Sequence, residues 1–139
     1  MPMNTLAPVL ALALWSFVMS CWMFVVRIRF LRSSGMSPED TKHLADAVQR
    51  MPSSVRQVGD NYNHLFEQPV IFYAVALLIA VAGHGDALHG ALAWAYVALR
   101  VLHSLIQATT NNVMHRFQVF SLSWIVLVVM IVREGLRLV

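Results

Sequence analysis

Four long apolar stretches, each closed by a polar or glycine-rich break, organise the chain. The first covers 6–26 and stops at Arg27-Ile28-Arg29-Phe30-Leu31-Arg32. The second covers 65–82 and runs into Gly83-His84-Gly85-Asp86, a strong turn signal. The third covers 88–108 and the fourth 119–138. These lengths are close to the about twenty residues that carry a helix across a bilayer core. None of the four shows strand-like alternation of apolar and polar positions. Lipid cannot satisfy exposed backbone groups, so a chain this short can span only as helices. The pattern predicts an all-α fold, an integral membrane four-helix bundle forming one domain over 1–139. Between the first two stretches, Ser37-Pro38-Glu39-Asp40 reads as a helix start. Residues 39–50 are expected to form a short surface helix with Leu44, Ala47 and Val48 on one side.

Composition supports a lipid environment. Apolar residues make up 58% and charged residues 12% of the chain, against about 45–50% and about 25% in soluble domains. A soluble domain of this size has no way to cover so much apolar surface. The net charge of +3 forms no patch on a polar domain, so nucleic acid is not an expected partner. The lone Cys21 excludes an internal disulfide framework and a cysteine-based zinc site, and within an apolar run it is expected to be buried. No Lys or Arg precedes Arg27, so the first stretch reads as a retained anchor rather than a cleaved signal.

Charge also sets an orientation. Four spans place both termini on one side. The first and third connections, on the other side, carry Arg27, Arg29, Arg32, Lys42, Arg50, Arg56 and Arg116, and the turn between the second and third spans carries no Lys or Arg. The positive-inside rule then expects the first and third loops in the cytoplasm and both termini periplasmic.

Against this apolar background a few polar residues stand out. Tyr96, Arg100, His103, Gln107 and Thr110 follow spacings of four, three, four and three, a single stripe on the third span with Ser104 beside it. Glu67 opens the second span from the cytoplasmic side, with His64 three residues before it. Arg27 ends the first span and Arg116 enters the fourth at the same level. Arg27 and Arg116 also suit plain topology anchoring, Glu67 the positive end of a helix that carries Pro69 in its first turn, and His103 a hydrogen bond to a neighbouring helix. Arg100 needs more. An arginine well inside a span costs at least about 2.5 kcal/mol, which calls for a partner or a watery cavity. Glu67 is the carboxylate within reach, so an internal Arg100–Glu67 pair is expected. His84 and His89, around the opposite turn, read as solvated loop residues, and no metal site is expected. No nucleophile–base pair, phosphate loop or pair of catalytic carboxylates is present in the sequence.

At these residues the sequence resembles the MAPEG family, the membrane-associated proteins of eicosanoid and glutathione metabolism. The resemblance rests on Val26-Arg27-Ile28-Arg29 and on Asn61-Tyr62-Asn63-His64-Leu65-Phe66-Glu67-Gln68-Pro69. It rests also on Arg100-Val101-Leu102-His103 followed by Arg116. Its implications are a homotrimer in the bilayer and glutathione held between neighbouring subunits near the cytoplasmic face. The glutathione site would be lined by Arg27, Asn63, His64, Glu67, Arg100, His103, Gln107 and Arg116. Arg116 first and Arg100 second would favour the thiolate. The likeness to bacterial members implies a bacterial inner membrane. Two departures are visible. His64 stands where the family has asparagine, with Asn63 adjacent, and Gln107 and Thr110 stand where some members carry a tyrosine. The function implied is a glutathione transferase or peroxidase acting on small lipophilic electrophiles. The alternative is a non-catalytic protein of the same fold whose polar cluster serves assembly or binds a lipid or partner.

Overall fold

The computed structural model describes residues 5–139, apart from the side chains of Pro38 and Leu44. Residues 1–4 of the expected domain, and the place of the Leu44 side chain on the surface helix, therefore lie outside the described residues. The chain forms α1 (Leu6–Ser34), a short 3-10 turn (Pro38–Thr41), α2 (Leu44–Arg50), α3 (Ser53–His64), α4 (Gln68–Val81), α5 (Ala87–Ala108) and α6 (Val113–Leu138). Four helical rods are long and apolar enough to cross a membrane: α1, α3 with α4, α5 and α6. All four spans are thus helical, and no strand occurs among the described residues.

The rods overrun the expected limits. At 29 residues, α1 is about 43 Å long, more than a hydrocarbon core of about 30 Å requires. The second rod starts at Ser53 rather than 65, because α3 packs against α1 and α5 and is held by them despite its polar sequence. The expected surface helix divides into the 3-10 turn and α2, with Ala47 buried and Val48 half-buried.

The interior is built around α5, which packs against α6, α1 and α3. Phe72 of α4 stacks on Tyr96 of α5 with ring centroids 4.4 Å apart and planes 16° from parallel. Leu12, Met19, Ile79, Leu127 and Met130 complete the apolar core, and the small Ala76, Gly90 and Ala93 let helices approach closely. The outer faces are apolar as well: Leu10, Leu14, Phe17 and Phe24 on α1, and Val113, Phe117 and Ile125 on α6, are exposed. Those faces suit contact with lipid. Cys21 belongs with them, exposed rather than buried as expected. Apolar sequence alone cannot separate a lipid-facing position from a core-facing one, since acyl chains are as apolar as leucine.

The turn between α4 and α5 is not the solvated loop that the sequence suggests. Gly83 adopts a left-handed φ of 71°. Its N–H reaches the Ala80 carbonyl and the His84 N–H the Ile79 carbonyl, which closes α4 as a Schellman motif. Asp86 caps α5 by accepting from the His89 N–H at 2.9 Å. It also accepts from Arg133 Nη1 at 2.7 Å and Arg137 Nη2 at 2.6 Å. His84 Nδ1 lies 2.8 Å from Glu134 Oε1, and His89 is fully buried. One histidine, two carboxylates and two arginines thus clasp the turn to the end of α6.

Candidate functional site: a polar interior at the loop end of the bundle

The site lies at the end of the bundle that carries the first and third connections. Its geometry follows from a break in the second rod. Pro69 has no N–H, and its ring would crowd the carbonyl of residue 65 in a continuous helix. Helical bonding stops at Leu65 and Phe66, and α4 restarts with Glu67 as its N-cap. The break leaves the His64 carbonyl without its helical partner, with only a long 3.5 Å bond from the Glu67 N–H, and so open to a side-chain donor. Arg100 supplies the donor.

Arg100 is 1% exposed. Its Nη2 donates to the His64 carbonyl at 3.0 Å and its Nη1 to Gln68 Oε1 at 3.1 Å. Ser123 Oγ of α6 donates to the same Gln68 oxygen at 3.0 Å. Arg100 Cζ lies 5.8 Å over the Phe120 ring, a cation–π contact. The expected Arg100–Glu67 ion pair is not formed. The break turns Gln68 inward and Glu67 outward: the Gln68 side chain is buried, while that of Glu67 is 62% exposed and lies 3.3 Å from His64 Nδ1. That last contact is within ion-pair reach but is poorly aligned for a hydrogen bond, and His64 Nδ1 has no other partner.

Beside Arg100 three rings meet edge to face. His64 and His103 have centroids 5.7 Å apart, His103 and Phe120 5.9 Å, and His64 and Phe120 6.3 Å. With Val113, Arg116 and Phe117 they line a cavity of about 170 Å³. Arg116 is placed by the connection before α6. Asn111 takes a left-handed φ of 52° and its Oδ1 accepts from Arg116 Nη1 at 2.5 Å, while Asn112 caps α6 through the His115 N–H.

The other expected residues divide between the interior and the surface. Gln107 and Ser104 are buried beside His103 on α5, but Thr110 lies past the end of that helix and is exposed. Asn63 is exposed on the outer side of α3. Arg27 turns away from the cavity and lies against α3, where a Cβ on Gly59 would come within 2.5 Å of its Nη2. His103, His64 and Arg116 therefore line one cavity in the protomer with Arg100 behind Phe120, whereas Asn63 and Glu67 are exposed and Arg27 is half-buried against α3. The sequence reading missed Gln68, Ser123, Asn111 and Phe120. Gln68 and Asn111 had a signal, the residue before a proline and the first of two consecutive asparagines in a break, but Ser123 and Phe120 sat in plain apolar sequence.

Among the described residues, Asn61 Nδ2, Gln68 Nε2, Tyr96 Oη, Arg100 Nε, His103 Nδ1, Ser104 Oγ and Gln107 Oε1 are all buried with no hydrogen-bond partner. Native proteins leave only a few such atoms per hundred residues. Here they concentrate along one helix face and the elements packed on it.

A four-span helical bundle that buries an arginine and a file of hydrogen-bonding side chains near one membrane face is a polytopic membrane protein with a polar interior. Comparison with known families narrows this class. The model of the MAPEG family matches residues 5–136, nearly the whole chain, and the protein belongs to the MAPEG family. No curated protein and no solved structure matches the chain.

Proposed function

We propose that the protein binds glutathione at the loop end of the bundle and acts as a glutathione transferase or peroxidase on small lipophilic electrophiles. The family contains such enzymes as well as non-catalytic members. The observation that carries the reading is the cavity where His64, His103 and Arg116 meet in front of Arg100. The donor set fits the ligand. Glutathione has two carboxylates and one ammonium, and guanidinium groups bind carboxylates in a fork geometry while a carboxylate such as Glu67 suits the ammonium.

Glutathione when bound supplies the thiol nucleophile. A free thiol has a pKa near 8.5, and lowering it by two units takes about 2.7 kcal/mol. Arg116, steadied by Asn111 and facing the cavity, provides a cation at short range. Arg100 adds its charge from behind Phe120, its terminal nitrogens already engaged. Phe117, Val113 and Phe120 keep that side of the cavity apolar, which excludes water and admits a lipophilic partner from the bilayer. The cavity of one protomer is below the roughly 300–1,000 Å³ of ordinary ligand sites. A neighbouring subunit would supply the remaining wall, and Arg27 with the exposed Asn63 and Glu67 would serve that joint site in a homotrimer. The positive-inside rule places this end in the cytoplasm, with both termini on the other side, and we assign the protein to a bacterial inner membrane.

A thermal-shift titration in mild detergent tests the proposal. Glutathione at a hundredfold its dissociation constant stabilises by about 2.7 kcal/mol, and Arg116→Ala should reduce both the shift and the ultraviolet absorbance of the thiolate. The internal use of Arg100 favours a second reading, a purely structural polar cluster. That reading prevails if saturating glutathione produces neither a shift nor a thiolate band.

A further inference from the structure

We infer that His64 is the proton acceptor for the thiol, with Glu67 as its positioning residue; this rests on the glutathione reading above. Three observations converge on His64. Its ring lines the cavity together with His103 and Arg116. Its Nδ1 faces the Glu67 carboxylate at 3.3 Å, which leaves Nε2 as the ring nitrogen able to take a proton. Its backbone is fixed, because the carbonyl is the acceptor for buried Arg100. An imidazole oriented by a carboxylate next to a thiol site has the arrangement of base and orienting group that activates nucleophiles elsewhere, and such contacts are commonly loose before substrate binds. Here the thiol belongs to the substrate rather than the chain.

The step balances within the site. The S–H bond breaks, an N–H bond forms at His64 Nε2, and the electron pair stays on sulfur. The imidazolium charge is offset by Glu67, and the sulfur charge by Arg116. When the sulfur adds to an electron-poor double bond, the C–S bond forms and the C=C π pair moves to the adjacent carbon. His64 Nε2 returns the proton there. No oxidant or reductant is required for this addition. The charged and titratable groups around His64 are Glu67 from the break, Arg100 and His103 from α5, and Arg116 from α6.

A proton inventory decides the matter without any turnover. Glutathione binding is measured by calorimetry near neutral pH in buffers of different ionisation enthalpy, alongside the thiolate absorbance. The wild-type protein should show the thiolate band with no proton released to buffer, because His64 keeps it. In His64→Gln the protein should either release about one proton per glutathione or lose the band. A wild-type protein that already releases one proton, with an unchanged band and release in His64→Gln, would show that the arginines ionise the thiol alone; the inference then fails and the proposed function stands. No binding heat in the wild type would remove both. Should His64→Gln not fold, Glu67→Gln at saturating glutathione takes its place and should weaken the band per bound glutathione, and an undiminished band per bound glutathione counts against the pair.

Discussion

At the scale of the residue, Gln68 carries more of the structure than its place beside a proline suggests. Its Oε1 accepts from both Arg100 and Ser123, joining three helices at one atom. Hydrogen bonds to charged groups contribute about 1.5–3 kcal/mol, and a neutral one about 1 kcal/mol. Gln68→Leu should therefore cost about 1.5–3 kcal/mol in thermal or denaturant unfolding in detergent, and Ser123→Ala distinctly less because Arg100 keeps its partner. Equal losses would mean that Arg100 does not depend on Gln68. A second test uses the contact of Gly59 with Arg27. Alanine there should push the guanidinium off α3 and weaken glutathione binding about as much as Arg27→Ala does. It should not destabilise the helix, since Ala is favoured over Gly within helices by roughly 0.5–1 kcal/mol. The stripe of Tyr96, Arg100, His103 and Gln107 was legible because helical period alone puts those residues on one face. Which acceptor Arg100 finds was not legible, because it depends on the rotation imposed by the break at Pro69. The exposure of Cys21 was hidden for a different reason, the equal apolarity of lipid and core.

At the scale of the element, the break between α3 and α4 decides the site. Without Pro69 the rod could continue, and the N–H of residue 68 would claim the His64 carbonyl that Arg100 now uses. Pro69→Ala should leave overall stability within about 1 kcal/mol, since a regained backbone bond offsets a lost side-chain one. Glutathione affinity should fall all the same. Circular dichroism and a binding titration on the same sample check both halves, and unchanged affinity would show that the break does not shape the site. Hydropathy located the spans, yet it missed α3 as part of the second rod. Its polar residues score as a loop, and only packing against α1 and α5 makes it a helix. The clasp at the opposite end was missed because its members are 47 or more residues apart in sequence. The hydrogen bonds from Arg133, then from the His89 N–H, then from Arg137 hold the Asp86 carboxyl well below its usual range. A carboxyl with a folded pKa below the unfolded value, near 3.9, contributes stability that is complete above about pH 4 and fades as the pH falls further. Asp86→Asn should accordingly lower the melting temperature at neutral pH, and the gap from the wild type should close on acidification below about pH 4. A gap that persists in strong acid would mean that Asp86 acts through something other than its charge.

At the scale of the whole molecule, one protomer leaves its binding surface unfinished. The cavity at its loop end, about 170 Å³, is too small for a tripeptide. If a second copy completes it, ligand binding and assembly are the same equilibrium seen from two sides. Linkage then requires that whatever assembly does to glutathione affinity, glutathione does to assembly. Native mass spectrometry across a detergent dilution series should find glutathione on the trimer and not on the monomer. Saturating glutathione should move the dissociation midpoint toward more dilute protein, by about threefold for each 1.4 kcal/mol by which it stabilises the trimer. The separate behaviour of Gln68→Leu sharpens this result. That variant weakens the fold inside a protomer, so it should lower stability in monomer and trimer alike without altering the ligand's effect on assembly. A dissociation curve indifferent to glutathione, with ligand bound to free monomers, would place the complete site within a single chain and leave Arg27, Asn63 and Glu67 without a role in binding.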